Sequence, residues 1–239
     1  MRTVVISQPT YLPWPGYFRI MKEADVYVFF DNVQFEPRSW QCRNKIKSSQ
    51  KSIWLSVPTH HGGKPTISDV GIDNSKEWRR QHWRAIKTCY GKAPYFREYS
   101  SFLKSVYERN WTMLVSLNIH IIKYLASQLA LSPVFVQASK LGVEGKRTKL
   151  LLDICRTFRA DRYVSSVGAK EYMEKDGAKE SFEREGIKVE FLQFNHLAYP
   201  QLFGDFTPDV SFVDCLFNCG PDSSKIVFDE KSAVFRYLS

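Results

Sequence analysis

Residues 4–18 read VVISQPTYLPWPGYF and predict a buried strand, a rigid loop and the start of a helix. The β-branched run at residues 4–6 is typical of a strand inside a sheet. Three prolines fix backbone φ angles in the loop, so the loop loses little entropy when it orders. We expect this loop to hold four amphipathic side chains around a ligand, namely Gln8, Tyr11, Trp14 and Tyr17. The alternative is a proline-rich turn that only packs against the core.

Apolar runs and helical periodicity alternate along the rest of the chain. Strands are predicted at residues 4–8, 25–30, 52–57, 67–72, 133–137, 162–166 and 188–193. Helices are predicted from a cap near Asn74 or Ser75 to Gly91, in a mostly helical section from Pro94 to Leu131, and at residues 146–158, 168–174 and 176–185. This order predicts an α/β fold with a mostly parallel, Rossmann-like sheet, helices on both faces and a helical middle section. In such folds ligands bind beyond the carboxyl ends of the strands.

Size and charge limit the classes of function. The 239 residues, 44% of them hydrophobic, suffice for a single domain over residues 1–239, with two lobes at about 1–131 and 132–239 as the alternative. A formal net charge of +9 indicates an anionic partner. The basic residues form several short clusters, which suits a phosphate-bearing small molecule in a cleft at least as well as nucleic acid. No apolar run approaches the roughly 20 residues of a membrane span, so we expect a cytoplasmic protein.

The five cysteines form an odd set without a CxxC pair: Cys42, Cys89, Cys155, Cys215 and Cys219. This pattern argues against both a disulfide scaffold and a zinc site. We therefore predict no metal centre, and the sequence identifies no cofactor.

Polar residues also follow the second predicted strand. If the first two strands are parallel neighbours, Asp31 and Gln34 share one rim of the sheet with Gln8 and Tyr11. Asp31 is interpreted as a general base, as a hydrogen-bond acceptor for a sugar hydroxyl, or as the cap of a turn.

Two basic segments are candidates for binding phosphate. The segment 38–47 mixes aromatic and basic residues, so Trp40 would stack on a ring, Arg43 and Lys45 would contact anionic oxygens, and Asn44 would read a polar edge. Lys146 and Arg147 lie at a predicted helix start, where free backbone N–H groups favour an anion. Surface charges that are merely solvated are the alternative in each case.

A dense polar and aromatic region follows the last predicted strand. His196 lies in a loop at a strand end and is the preferred acid/base candidate, with His82 as a weaker one. Tyr199, Gln201, Asp214 and Asn218 complete the predicted substrate-binding set. Asp214 would either orient His196 or be buried with a hydrogen-bond partner. Ser211 and Gly220 are predicted to cap the two ends of a short amphipathic helix.

Four ordered motifs extend over nearly the full chain: QPTYLPWPGYF at 8–18, DNVQF at 31–35, WQCRNKI at 40–46, and YPQ at 199–201 followed by SFVDCLFNCG at 211–220. Together they resemble the WbqC-like family, whose members are associated with bacterial O-antigen and other surface-polysaccharide gene clusters. The resemblance implies transfer of a glycyl or other acyl group to an amino sugar, so the phosphate-bearing small molecule would be a nucleotide sugar or an activated acyl donor.

The first strand, the proline-containing turn and the residues ADV at 24–26 are also similar to the opening of nucleotidylyltransferases and class I aminoacyl-tRNA synthetases. Those enzymes set a histidine-glycine-histidine element against ATP phosphates, whereas Trp14 and Tyr17 flank Gly16 here. This second similarity therefore concerns the fold alone.

These observations lead to one functional hypothesis and two alternatives. The hypothesis is an enzyme that moves an acyl or aminoacyl group onto the amine of a nucleotide-linked amino sugar, with His196 or Asp31 accepting the amine proton. Direct transfer is favoured because no cysteine has an adjacent base in sequence. The alternatives are a nucleotide- or nucleic-acid-binding module without catalysis, and a nucleotidylyltransferase-like enzyme.

Overall fold

The computed structural model describes residues 1–60 and 62–237. Within them a six-stranded sheet forms the centre of the fold, and two small two-stranded sheets lie outside it. The strands are β1 (Thr3–Ser7), β2 (Val26–Phe29), β3 (Arg43–Ile46), β4 (Ile53–Ser56), β5 (Thr59–His60), β6 (Gly71–Ile72), β7 (Val134–Gln137), β8 (Arg162–Ser166), β9 (Lys188–Phe194) and β10 (Ala233–Tyr237).

The central sheet has the order β10-β9-β8-β1-β2-β7 and is parallel except for β10. β1 and β2 are parallel neighbours, with Val4 opposite Val26, so the carboxyl ends of both strands lie at one rim of the sheet. The chain adds strands on one side of β1 and then returns to add β8 on the other side. The strand order therefore reverses between β1 and β8, and such a reversal is where open α/β sheets form a crevice.

Helices cover both faces of this sheet, which confirms the predicted α/β fold. They are α1 (Pro15–Met21), α2 (Trp78–Tyr90), α3 (Phe96–Glu108), α4 (Leu114–Gln128), α5 (Arg147–Thr157), α6 (Lys170–Lys175), α7 (Ala178–Arg184), α8 (Phe212–Cys219) and α9 (Ser223–Phe228).

Alternating strand residues divide the core into two clusters. Val5 and Tyr27 face the larger cluster, to which α1, α2, α3, α4 and α8 contribute. Val4 and Val26 face the smaller cluster on the other side, with α5, α6 and α7. Because successive side chains of a strand point to opposite faces, a strand that is apolar throughout must be covered on both.

Several predicted elements differ from the structure. The predicted strand 67–72 is wrong, because Ile67–Asp69 forms a 3-10 helix and only Gly71–Ile72 is extended. The predicted strand 52–57 contains β4, but β4 pairs with β3 in a separate antiparallel hairpin. Helix α2 begins at Trp78, because Asp73 accepts the Ser75 backbone N–H and forms a turn before it.

Strand β10 was not predicted. Its residues are mostly exposed at the sheet edge, so the apolar signal of a buried strand is weak there. In the part of the chain that the structure describes, no helix has the length and apolar character needed to cross a membrane.

Candidate functional site

A cavity of about 550 Å³ opens at the carboxyl ends of β1, β8 and β9. It lies at the reversal of strand order, where the loops after β1 and β8 diverge. Its lining residues come from β1, β8 and β9, from the segments that follow β1, β2 and β8, and from α1, α5 and α6: Ile6, Ser7, Gln8, Thr10, Trp14, Gly16, Tyr17, Ile20, Phe30, Leu151, Tyr163, Ser165, Ser166, Val167, Gly168, Ala169, Tyr172, Leu192, Gln193 and Phe194.

None of these lining residues is charged at neutral pH. Hydroxyl and amide groups come from Ser7, Gln8, Ser165, Ser166 and Gln193, and the aromatic rings include Trp14, Tyr17 and Phe194. Burial raises the pKa of the Tyr17 hydroxyl well above its usual range, so this group stays protonated. Hydroxyl and amide groups beside apolar ring faces suit an uncharged, hydroxylated ring.

The loop after β1 is held in place by hydrogen bonds that its backbone carbonyls accept from distant elements. The Asn44 side chain donates to the Leu12 carbonyl at 2.6 Å, and the Asn118 side chain donates to the Pro9 carbonyl at 3.1 Å. The Phe212 N–H donates to the Pro13 carbonyl at 2.7 Å. Since its polar backbone groups are paired to three separate elements, the loop is a rigid wall of the cavity.

Trp14 takes its position because Gly16 has no side chain. The indole ring lies over the Cα of Gly16, where a Cβ would overlap the ring. The exposed Gln8 side chain accepts a hydrogen bond from Gln41 at 2.8 Å, and the Tyr17 hydroxyl donates to the Gln8 carbonyl at 3.2 Å. Of the four loop residues predicted to contact a ligand, three line the cavity: Gln8, Trp14 and Tyr17.

The fourth, Tyr11, points away from the rim. Its hydroxyl is buried between His82 Nδ1 at 2.9 Å and the Tyr107 hydroxyl at 2.6 Å. Burial lowers the pKa of His82 to about 4, so the imidazole is neutral at physiological pH. Tyr11 and His82 thus form an interior network that does not line the cavity.

Asp31 is also buried. Its carboxylate accepts hydrogen bonds from the Gln137 side chain at 2.9 Å and from the N–H and hydroxyl of Ser139 at 2.8 Å each. These bonds join the segment just after β2 to the last residue of β7 and to the turn that follows it. These partners lie 106 and 108 residues away along the chain, so the three roles considered for Asp31 stay predictions. Gln34 is exposed, and its side chain donates to Glu36 at 3.0 Å.

His196 packs against the wall of the cavity. Its ring centroid lies 5.4 Å from that of Trp14 and 5.1 Å from that of Phe194. Its Nε2 is 2.9 Å from Asp209 Oδ1. Of the three catalytic candidates, it is the one whose ring contacts the rings of lining residues.

Asp214 organises a buried polar cluster instead of orienting His196. Its carboxylate accepts from the hydroxyls of Tyr90 and Tyr199, at 2.9 Å each, and from the Gln201 side chain at 2.8 Å. The Asn218 side chain donates to the Asp214 carbonyl at 2.8 Å. Burial is the largest influence on Asp214 and raises the pKa of its carboxyl. Four predicted substrate-binding residues thus meet around α8, which Ser211 and Gly220 cap as predicted.

The two predicted phosphate segments lie on different elements, and neither lines the cavity. Arg43 and Lys45 lie on the hairpin of β3 and β4, where both pack against Trp54, and Trp40 contacts Trp54 as well. Lys146 and Arg147 are exposed at the start of α5. There the Thr148 N–H donates to the Asp176 carboxylate at 3.1 Å, so this helix start already has an anionic partner.

Comparison with known proteins identifies the family. A profile of the WbqC-like protein family matches residues 8–226. The chain belongs to the WbqC-like family. The uncharacterized protein Rv1507c of Mycobacterium tuberculosis is 32% identical over 227 residues, which cover 93% of this chain and 96% of that relative. No solved structure matches the chain.

Sequence reasoning missed several lining residues of this WbqC-like protein. Ser165 and Ser166 end β8, and Gly168 lies in the turn that follows. Strand 162–166 was predicted, and ligands bind at carboxyl strand ends, so these residues carried a signal that was overlooked. Gln193 has the same position at the end of β9.

A second cavity of about 410 Å³ lies between α2 and α3 of the WbqC-like fold, away from the strand ends. Four of its six charged lining residues form two ion pairs, Arg80 with Glu77 and Lys104 with Glu108. In residues 1–60 and 62–237, no group of three or more His, Cys, Asp or Glu side chains could hold a metal ion. The cavity at the strand ends is therefore our candidate functional site.

Proposed function

We propose that this WbqC-like protein transfers an acyl or aminoacyl group, such as glycyl, onto the amine of a nucleotide-linked amino sugar during surface-polysaccharide biosynthesis. The observation that carries this proposal is the uncharged cavity at the strand reversal, lined by aromatic rings together with hydroxyl and amide groups. Such a lining complements a sugar ring, whose hydroxyls need hydrogen bonds and whose C–H faces pack on aromatic rings.

In this proposal the diphosphate of the acceptor extends out of the cavity toward α5. Leu151 lines the cavity, and Arg147 lies one helical turn earlier, about 6 Å along the axis. Lys146 precedes that turn and Arg147 begins it; both are exposed, and Arg147 lies 3.6 Å from the Asp176 carboxylate, which the phosphate would replace as its partner. Both cations would then lie within reach of phosphate oxygens at the cavity mouth, through their side chains.

His196 would accept the proton of the amine. The amine nitrogen attacks the acyl carbon of an activated ester or thioester, and a C–N bond forms as the C–O or C–S bond breaks. The proton passes from the amine to His196 and then to the leaving oxygen or sulfur. Asp209, 2.9 Å from Nε2, would stabilise the imidazolium that forms between these steps. The five cysteines are buried, which fits direct transfer without a covalent enzyme intermediate.

The test begins with ligand-induced stabilisation of the fold. We expect a nucleotide-diphosphate amino sugar to raise the melting temperature, and Trp14→Ala or Gly16→Ala to abolish the shift. An added methyl group at residue 16 overlaps the Trp14 ring and must displace it. Gly62→Ala is the matched control, because no atom lies within 4 Å of its added Cβ. His196→Gln should lower turnover by about 100-fold while acceptor binding persists.

Two results would contradict the proposal. One is a rise in melting temperature with oligonucleotides but with no nucleotide sugar. That result would indicate that the protein binds nucleic acid through its basic surface. The other is a nucleotide-sugar shift that survives both cavity variants.

A further inference from the structure

The outer face of the β3–β4 hairpin carries two exposed tryptophans and two cations. Lys45 pairs with Trp54 across the hairpin, and Arg43 lies two residues before Lys45 on the same face. The side chains of Asn44 and Leu55, between them, are buried on the inner face. Trp40, just before β3, completes the group, and its ring centroid lies 5.4 Å from that of Trp54. These residues, Trp40, Arg43, Lys45 and Trp54, are referred to below as the hairpin surface.

The rings of the hairpin surface remain open to solvent. Trp40 is 44% exposed and Trp54 is 43% exposed, although tryptophan carries one of the largest apolar side chains. Adjacent exposed aromatic rings mark binding surfaces more often than isolated ones do. The other four tryptophans are buried or partly buried.

The cations of the hairpin surface are ordered by the rings and not by carboxylates. The Arg43 guanidinium lies 4.3 Å from the centroid of Trp54, and the Lys45 ammonium lies 5.0 Å from it. Within residues 1–60 and 62–237 neither cation forms an ion pair, although Nε of Arg43 is itself buried, without a hydrogen-bond partner. Their positive charge is therefore available to an anion. Exposed aromatic rings interleaved with such cations are the combination that stacks a nucleobase and neutralises its phosphate.

Two hydrogen bonds join the segment that contains Trp40 to the loop after β1, which lines the cavity. Trp40 accepts a hydrogen bond from the Tyr11 N–H through its carbonyl, at 3.0 Å. The next residue, Gln41, donates its side-chain N–H to Gln8 at 2.8 Å, and Gln8 lines the cavity. A ligand seated on the hairpin surface would lie beside a sugar in the cavity.

We propose that the hairpin surface binds the adenosine nucleotide of the acyl donor, with the base stacked on Trp40 and Trp54 and a phosphate held by Arg43 and Lys45. This inference rests on the proposed function, since it supplies the second substrate of the same transfer. Two classes of activated donor carry such a nucleotide: a coenzyme A thioester and an aminoacyl ester at the 3′ end of tRNA. In either case the acyl carbon leaves its sulfur or oxygen for the acceptor nitrogen, and the donor departs as a thiol or a hydroxyl.

The experiment measures binding of two probes by calorimetry: 3′,5′-adenosine diphosphate for coenzyme A and the trinucleotide CCA for tRNA. We expect at least one probe to bind, and Trp54→Ala or Arg43→Gln to weaken it about tenfold. Arg43→Gln is the second variant because it leaves both rings in place. A preference for one probe identifies the class of donor.

The matched control is a cation–aromatic pair at the far sheet edge. Lys188 lies 4.8 Å from the ring centroid of Tyr237, which is 55% exposed, but Lys188 is also paired with Glu190. Tyr237→Ala should leave probe binding unchanged. Failure of both probes to bind, or equal losses in Tyr237→Ala and Trp54→Ala, would overturn the inference.

Binding of the acceptor is measured separately on the same variants. Hairpin variants should retain the melting-temperature shift with the nucleotide-linked amino sugar, whereas Gly16→Ala should lose that shift and keep probe binding. A native protein that binds a probe but no nucleotide-linked amino sugar therefore counts against the proposed function, and one that binds the amino sugar but neither probe counts against the donor site.

Discussion

At the scale of single residues, burial changes the protonation state that a side-chain type would have in water. His82 would be half protonated near pH 6.5 in water, but in this fold it lies among Trp78, Tyr107 and Tyr11 with ring centroids 5.4 to 6.0 Å away. Burial removes water from the imidazolium, so the neutral form prevails. The residue that resembles a general base in sequence is thus part of the folding core.

This burial predicts an acid-sensitive fold. The unfolded chain binds a proton at His82 below about pH 6.5, whereas the folded chain does so only near pH 4. The free energy of unfolding should therefore fall as pH decreases through this window, by up to about 1.4 kcal/mol per pH unit for this one proton. Urea denaturation at pH 7, 6 and 5 measures the slope, and His82→Gln should flatten it.

The exposed His120 provides the comparison for His82. Its pKa is also lowered by burial, but its ring is less buried than that of His82. His120→Gln should change the slope less than His82→Gln does. An unchanged slope in His82→Gln would show that other groups cause the acid sensitivity.

At the level of elements, α8 is attached to the rest of the fold through Asp214. Its carboxylate connects α8 to Tyr90 of α2 and to Tyr199 and Gln201 of the segment after β9. Lys47, just after β3, reaches the same segment through Gln201 at 3.1 Å. Each of these buried groups has its partner, and such a network becomes costly when one member is removed.

Asp214→Ala should destabilise the protein by about 3 kcal/mol, because two tyrosine hydroxyls and one amide lose their buried acceptor. Asp222→Ala is the control, since this aspartate side chain is 62% exposed and its ion pair with Lys225 is worth little. Denaturant midpoints measure both variants. A loss below about 1 kcal/mol in Asp214→Ala would mean that water replaces the carboxylate.

At the scale of the whole molecule, the charged residues lie outside the cavity that is the candidate site. The chain carries a net charge of +9, yet none of the residues lining the cavity is charged at neutral pH. Positive charge at the surface attracts an anionic ligand, and uncharged groups inside then select its sugar.

This separation predicts that the affinity for a nucleotide-linked amino sugar falls severalfold between low and high ionic strength, because exposed charges are screened. The double variant Lys146→Gln with Arg147→Gln should bind more weakly at low salt and respond less to salt. Titrations of both proteins across a salt series measure the effect. A salt-independent affinity in the native protein would contradict the proposed position of the diphosphate.

The sequence alone determined the elements whose signals are local. Strands β1, β2, β7, β8 and β9 follow from apolar runs, and the two caps of α8 follow from Ser211 and Gly220. The ordered motifs also established the family, which the profile over residues 8–226 confirms. Each strand run, helix cap and single motif lies within about ten neighbouring residues, where backbone preferences act directly.

Only the tertiary structure decided which polar residues face the cavity. Tyr11 meets His82 across 71 residues, Gln137 meets Asp31 across 106, and Tyr90 meets Asp214 across 124. The reversal of strand order between β1 and β8 likewise depends on a long-range pairing, and it creates the cavity. Burial of a polar group is stable only when its partner arrives from elsewhere in the chain, so no local pattern reveals it.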